Sequence, residues 1–149
     1  MKKTILLLLF ALITTLSYGQ KALFDQYDDT NKVTTVYISH SMMQLMGDVK
    51  VDNKDITKIA SRLEYLRILS CEHPSLIPNI IRTAQAIYKT QKYNVAMKVN
   101  DSGEQVTIYE KIYSNGKREY SLLSIERKEV SIINVMGNIT LKDIQSIAH

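Results

Sequence analysis

The stretch VAMKVNDSGEQVTIYEKIYSNGKREYSLLSIERKEVSIINVMG, residues 95–137, decides the fold. It holds four short apolar runs, Val95 to Asn100, Gln105 to Tyr113, Arg118 to Arg127 and Val130 to Met136. Turn residues part the first three: Asp101-Ser102-Gly103, then Ser114-Asn115-Gly116-Lys117. Strand-length runs rich in β-branched and aromatic residues, punctuated in this way, predict an antiparallel meander. Asn115-Gly116 is the strongest hairpin signal, because a two-residue type I′ turn needs positive φ at both central positions.

The chain before the meander predicts an alternation of strands and helices. Val33 to Ser39 (VTTVYIS) is a strand by its β-branched and aromatic content. Ser41 and Gln44 have capping-box spacing, so a two-turn helix containing Met42, Met43, Leu45 and Met46 is expected to end at Gly47. From Asp52, the spacing of Ile56, Ile59, Ala60 and Leu63 predicts a second short helix. Tyr65 to Cys71 reads as another strand. The apolar stripe Ile77, Ile80, Ile81, Ala84, Ile87 and Tyr88 reads as a helix to about Gln91 that covers a sheet face. Leu23, Phe24 and Tyr27 suggest an N-terminal helix, and Thr140 with Asp143 opens a closing one that buries Leu141, Ile144 and Ile147. The fold class is therefore α+β: a mixed, mainly antiparallel sheet with a C-terminal β-meander and helices packed on it.

The first nineteen residues are of another kind. Met1-Lys2-Lys3 is a basic start, Ile5 to Leu16 an apolar core, and Ser17-Tyr18-Gly19 puts small residues at the −3 and −1 positions. This is the pattern of a secretory leader cleaved after Gly19, leaving residues 20–149 as one domain outside the cytoplasm, periplasmic or secreted. No membrane span is expected after its removal, since no later apolar segment approaches the ~20 residues needed. Losing Lys2 and Lys3 takes two from 19 basic residues, so the excess over 15 acidic ones falls to two. No Lys/Arg run exceeds Lys117-Arg118, which argues against a nucleic-acid partner. Cys71 is the single cysteine, so no internal disulfide is available.

Three groups of residues invite a functional reading. His40, Met42, Met43 and Met46 bring an imidazole and three thioethers within seven residues, a soft set suited to Cu(I). Flexible Met side chains also fill irregular cores, and exposed ones make adaptable docking surfaces. Cys71 and His73 are two apart on a strand end and share a face, the spacing of a thiolate and its base. Two ligands are too few for zinc, and a buried inert thiol is the plainer expectation. Tyr109, Tyr113 and Tyr120, around the Asn115-Gly116 turn, would form an aromatic docking surface or merely stabilise their hairpin. Glu110 and Glu126 stand alone, without a second acid at a defined spacing, and Ser, His and Asp form no nucleophile pattern. Asn138-Ile139-Thr140 matches a glycosylation sequon.

The leader ending Ser17-Tyr18-Gly19, the passage Val36-Tyr37-Ile38-Ser39 into Met42-Met43-Gln44-Leu45-Met46-Gly47, the strand end Leu69-Ser70-Cys71-Glu72 and the closing Asn138-Ile139-Thr140-Leu141 carry a resemblance. The chain resembles the DUF4252 family of small secreted bacterial proteins, single domains of unknown function, over nearly all of residues 20–149. The resemblance implies no catalytic residue and no cofactor. It also implies an envelope setting, because genes of that family often lie near envelope-stress regulators. The expected function is a non-enzymatic envelope interaction protein that docks an unknown protein partner through Met42 and Met46 or the three tyrosines. The alternative is a soft-metal or small-ligand binder using His40, Met42, Met43 and Met46.

Overall fold

A computed structural model describes residues 19–51 and 54–148. The expected leader, residues 1–18, and Asp52, the expected start of a helix, lie outside the described residues. In chain order the elements are α1 (Gly19–Tyr27), β1 (Val33–Ser39), α2 (His40–Met46), β2 (Lys50–Val51), β3 (Lys54–Asp55), α3 (Thr57–Ala60) and β4 (Leu63–Cys71). They continue with α4 (Ile77–Thr90), β5 (Asn94–Asp101), β6 (Glu104–Ile112), β7 (Arg118–Ile125), β8 (Val130–Gly137) and α5 (Leu141–Ala148). The architecture is α+β, with six strands in the order β1-β4-β8-β7-β6-β5 and every neighbouring pair antiparallel.

The C-terminal meander β5 to β8 is as the turn signals imply, but the type I′ turn expected at Asn115-Gly116 forms at the first gap instead. Asp101 pairs with Glu104, and Ser102 (φ 48°) and Gly103 (φ 89°) are both left-handed, so the type I′ turn is here. At the second turn only Gly116 has positive φ (82°). Tyr113 accepts from the Gly116 N–H at 3.0 Å and donates to Lys117 at 2.9 Å, while the Asn115 side-chain oxygen takes the Lys117 N–H. That geometry is a longer loop in which the Asn115 side chain accepts from the backbone two residues on and Asn115 does not turn left-handed.

β1 has the expected bounds, and β4 begins two residues early because Leu63 pairs with Gly137 before an irregularity at Tyr65. That removes Leu63 from the predicted second helix, which shrinks to Thr57–Ala60 behind the small β2–β3 hairpin. The cap of α2 is Ser39 and not Ser41: its hydroxyl accepts from the Met42 N–H at 3.3 Å. The α5 capping box forms as its spacing requires, with Thr140 N–H donating to Asp143 and Asp143 N–H to the Thr140 hydroxyl. Ile147, expected on its buried face, lies outside the described side chains.

The sheet is covered on both faces. On one, α2, α3 and α5 bury Met43, Ile59, Leu66, Ile108, Leu122, Val135 and Ile144. On the other, α1 and α4 bury Leu23, Phe24, Leu69, Ile80, Leu123 and Ile132. Alternate residues of β4, β7 and β8 feed the two cores, as a doubly covered sheet demands. β1 and β5 are left as the edges.

Candidate partner-docking edge

β1 is an open edge of seven residues without a charge or a proline, and among the described residues no strand pairs with its outer side. Unpaired backbone groups on such an edge are a template for another extended chain. Its neighbour α2 turns different methionines to different sides. Met43 is 3% exposed and packs in the core, whereas Met42 (52%), Leu45 (82%) and Met46 (42%) point outward. Val36 and Tyr37 of β1 are exposed as well, so exposed apolar side chains lie both on the edge strand and on the helix that follows it directly in the chain.

The opposite flank of the edge is polar and aromatic. Arg67 packs against a pair of tyrosines whose ring centres are 6.5 Å apart, its guanidinium carbon 4.4 Å from the Tyr65 ring centre and 5.5 Å from that of Tyr37. A concavity of about 400 Å³ separates this stack from α1, with Lys21, Asp25 and Asp28 on its rim. A chain laid along β1 would therefore meet thioethers and Leu45 on one side and a cation packed against rings on the other.

The far edge is built differently. β5 carries Lys98 and Asp101, and its pairing with β6 slips between Val95 and Met97. Charge and a bulge both oppose pairing with another strand.

Of the four residues expected as a soft-metal set, Met43 is turned away from the other three into the core. With Met43 in the core, His40, Met42 and Met46 remain outside it, and the His40 Nδ1 is bound to the Leu63 carbonyl at 2.7 Å. No group of three or more His, Cys, Asp and Glu side chains among the described residues is placed to hold a metal ion. Cys71 is buried, and its sulfur takes the His73 backbone N–H at 3.4 Å. The His73 ring is engaged elsewhere. Lys32 donates to its Nε2 at 2.9 Å, which leaves Nδ1–H for the Ser75 hydroxyl at 2.7 Å.

The three meander tyrosines do not share a surface. Tyr109 stacks on Tyr88 of α4 with ring centres 4.0 Å apart, and Tyr113 donates to Glu119 at 2.6 Å. Tyr120 is fully buried on the opposite face, where its hydroxyl bonds Glu110 and lies beside Arg118. Burial first, then the Glu110 carboxylate, pushes the Tyr120 hydroxyl up to about 12. A two-residue strand period accounts for the split, since Tyr109 and Tyr113 share a parity and the facing register sets Tyr120 against Glu110.

The sequence pattern also hid a polar cluster under α1 and α4. Glu119, Ser121 and Asn134 are each at most 2% exposed. Asn134 donates to Glu119 at 2.9 Å, and the Tyr88 and Ser121 hydroxyls lie 2.6 Å apart. Burial raises the Tyr88, Tyr93 and Tyr113 hydroxyls above their ordinary range, with Glu119 adding to the effect at all three. The one visible sign was Asn134, a polar residue in the middle of the apolar run VSIINVMG.

A protein-family model described as "Domain of unknown function (DUF4252)" matches residues 27–147, and the chain belongs to that family. No curated protein and no solved structure matches it. Among the described residues no helix is long and apolar enough to cross a membrane.

Proposed function

We propose that this is an exported, non-enzymatic protein of the cell envelope that binds an extended, largely apolar segment of a partner protein along β1. The observation that carries the reading is an uncharged open edge, Val33–Ser39, followed directly in the chain by the exposed apolar side chains of α2. In strand addition, main-chain hydrogen bonds supply affinity and alternate side chains supply selectivity. Here one set of alternate partner side chains would lie towards Val36, Met42 and Met46, the other towards Tyr37 and Arg67. The leader-like residues 1–19 support export, and the family resemblance supports the envelope as the place of work.

The test is site-specific photocrosslinking in the native host. A photoreactive residue is placed at position 36 on β1 or, as the control, at position 99 on β5, and products from the envelope fraction are mapped to peptides. The expected product is one extended peptide of another protein crosslinked at 36 and absent at 99. It should disappear when Met42 and Met46 are both changed to Ser, with Met43 kept so that the core is intact. Equal yields at the two edges, a crosslink to a second copy of this chain, or a product indifferent to the methionines overturns the reading.

A further inference from the structure

The chain has six methionines, and the five that follow the expected leader differ in how their sulfurs are kept. Met43 is 3% exposed, in the core under α2. Met97 packs against the same core, and its sulfur accepts a hydrogen bond from the Gln145 side-chain amide at 3.7 Å. Met136 is half-buried on β8, paired with Tyr65 on one side and Glu119 on the other. Met42 and Met46 differ from all three. At 52% and 42% exposed they are open to water, one helical turn apart, with Leu45 at 82% beside them.

A thioether in water is a nucleophile towards two-electron oxygen donors, and access to the sulfur decides how readily it reacts. With hypochlorous acid an S–O bond forms and the O–Cl bond breaks. Sulfur gives up two electrons, and chloride and a proton leave. The sulfoxide is polar and chiral where the thioether was flexible and apolar. On Met43 that change would put a strong acceptor into a packed core. On Met42 and Met46 it leaves the fold intact, because both oxygens stay in water. The penalty falls on whatever covers them, since a sulfoxide oxygen pressed against an apolar segment has lost water and gained no donor.

We infer that Met42 and Met46 form a paired methionine-oxidation site, and that their conversion to sulfoxides releases the partner segment from β1 and α2. This rests on the docking and export readings proposed above, and adds their regulation by hypohalous acids met outside the cytoplasm. Met43 stays reduced, so the domain remains folded while its docking surface changes. A thiol-dependent sulfoxide reductase reverses the step. Two electrons and two protons come from a pair of thiols, which become a disulfide, and the oxygen leaves as water. The chain cannot do this for itself, since Cys71 is its single cysteine and is buried. By linkage, a docked partner shields both sulfurs, so the free protein is the form that is oxidised.

The experiment treats the protein, purified from the envelope of the native host, with hypochlorous acid in small steps and follows each methionine by peptide mass. Met42 and Met46 are expected to gain one oxygen each well before Met97 and Met136, with Met43 unreacted and the circular dichroism signal unchanged. Met43, Met97 or Met136 reacting first, or unfolding as the first two sulfoxides form, overturns the inference. In cells, the crosslink from position 36 is expected to fall about tenfold after oxidant treatment. It should persist in the Met42→Leu, Met46→Leu double variant, which keeps the surface apolar and offers no sulfur there. A crosslink that survives oxidation in the unsubstituted protein, or falls equally in the leucine variant, overturns the release. No crosslink before oxidation overturns the docking reading and the release with it, while the oxidation order is decided by the peptide masses alone.

Discussion

On the α2–α3–α5 side of the sheet, the central strands bury Leu66, Leu122 and Val135 against Ile59 and Ile144, and apolar area does nearly all the work. On the α1–α4 side the same strands turn in Glu119, Ser121 and Asn134, which are held by Asn134 to Glu119, Tyr113 to Glu119 and Tyr88 to Ser121 contacts. The difference teaches that equal burial does not mean equal tolerance. An apolar contact that is shaved away loses its own area and leaves a cavity, whereas a buried polar group that loses its partner leaves another group stranded.

The comparison breaks first at Glu119. Glu119→Ala leaves the Asn134 amide with only its 3.3 Å bond to the Tyr120 carbonyl and the Tyr113 hydroxyl without its acceptor, and a loss of about 4 kcal/mol is expected in urea unfolding. Changing Glu119 and Asn134 together to Leu removes both ends of one bond, and should cost about 2 kcal/mol less than the sum of the two single Leu changes. Simple additivity would show that the cluster is not a coupled network. Ile144→Ala, the apolar counterpart on α5, is expected to cost about 3 kcal/mol with no such coupling to Glu119. A coupling as large as that between Glu119 and Asn134 would erase the distinction between the faces.

Smaller effects separate the faces by pH. Two hydrogen bonds from Arg62, with help from Thr140, hold the Asp143 carboxyl at about 2, well below the usual carboxylate range. The stability from this group is present above the ordinary value of 3.8 and is lost as pH falls through 3.8 towards 2. Because Arg62 is partly exposed, about 1 kcal/mol is expected, seen as an acid-side loss that Asp143→Asn removes. The tyrosine face fails at the other end. Hydroxyls raised by burial at Tyr88, Tyr93 and Tyr113 favour the fold while protonated, so their contribution is complete below pH 10 and declines above it. Tyrosinate absorbance should rise for these groups only as the far-ultraviolet helix signal falls. Ionisation well before that loss would mean the cluster is open to water.

Local chemistry made the secondary structure legible. Val33 to Ser39, the α4 stripe and the strands of the meander emerge from side-chain periods of two or 3.6, which need only a chain and a face to bury. The mistakes are also local, and each has a competing local bond. Ser39 reached the Met42 amide ahead of Ser41, Asn115 bonded to Lys117 instead of turning left-handed, and Leu63 joined Gly137 in the sheet. The candidate docking edge was half visible, since Met42 and Met46 stood among the candidates while β1 itself was noted only as a strand.

By itself, then, the sequence determined an α+β chain with a meander, its helix caps to within a residue or two, and membership of a family that its packing motifs already suggested. Only the tertiary structure decided which methionines face out, which tyrosines part company across the sheet, and that Gln20, Glu119 and Asn134 share one buried side. The physical reason is that periodicity fixes which residues lie on a common face of their own element. What covers that face depends on strand order and helix placement, and these are settled by contacts between residues far apart in the chain.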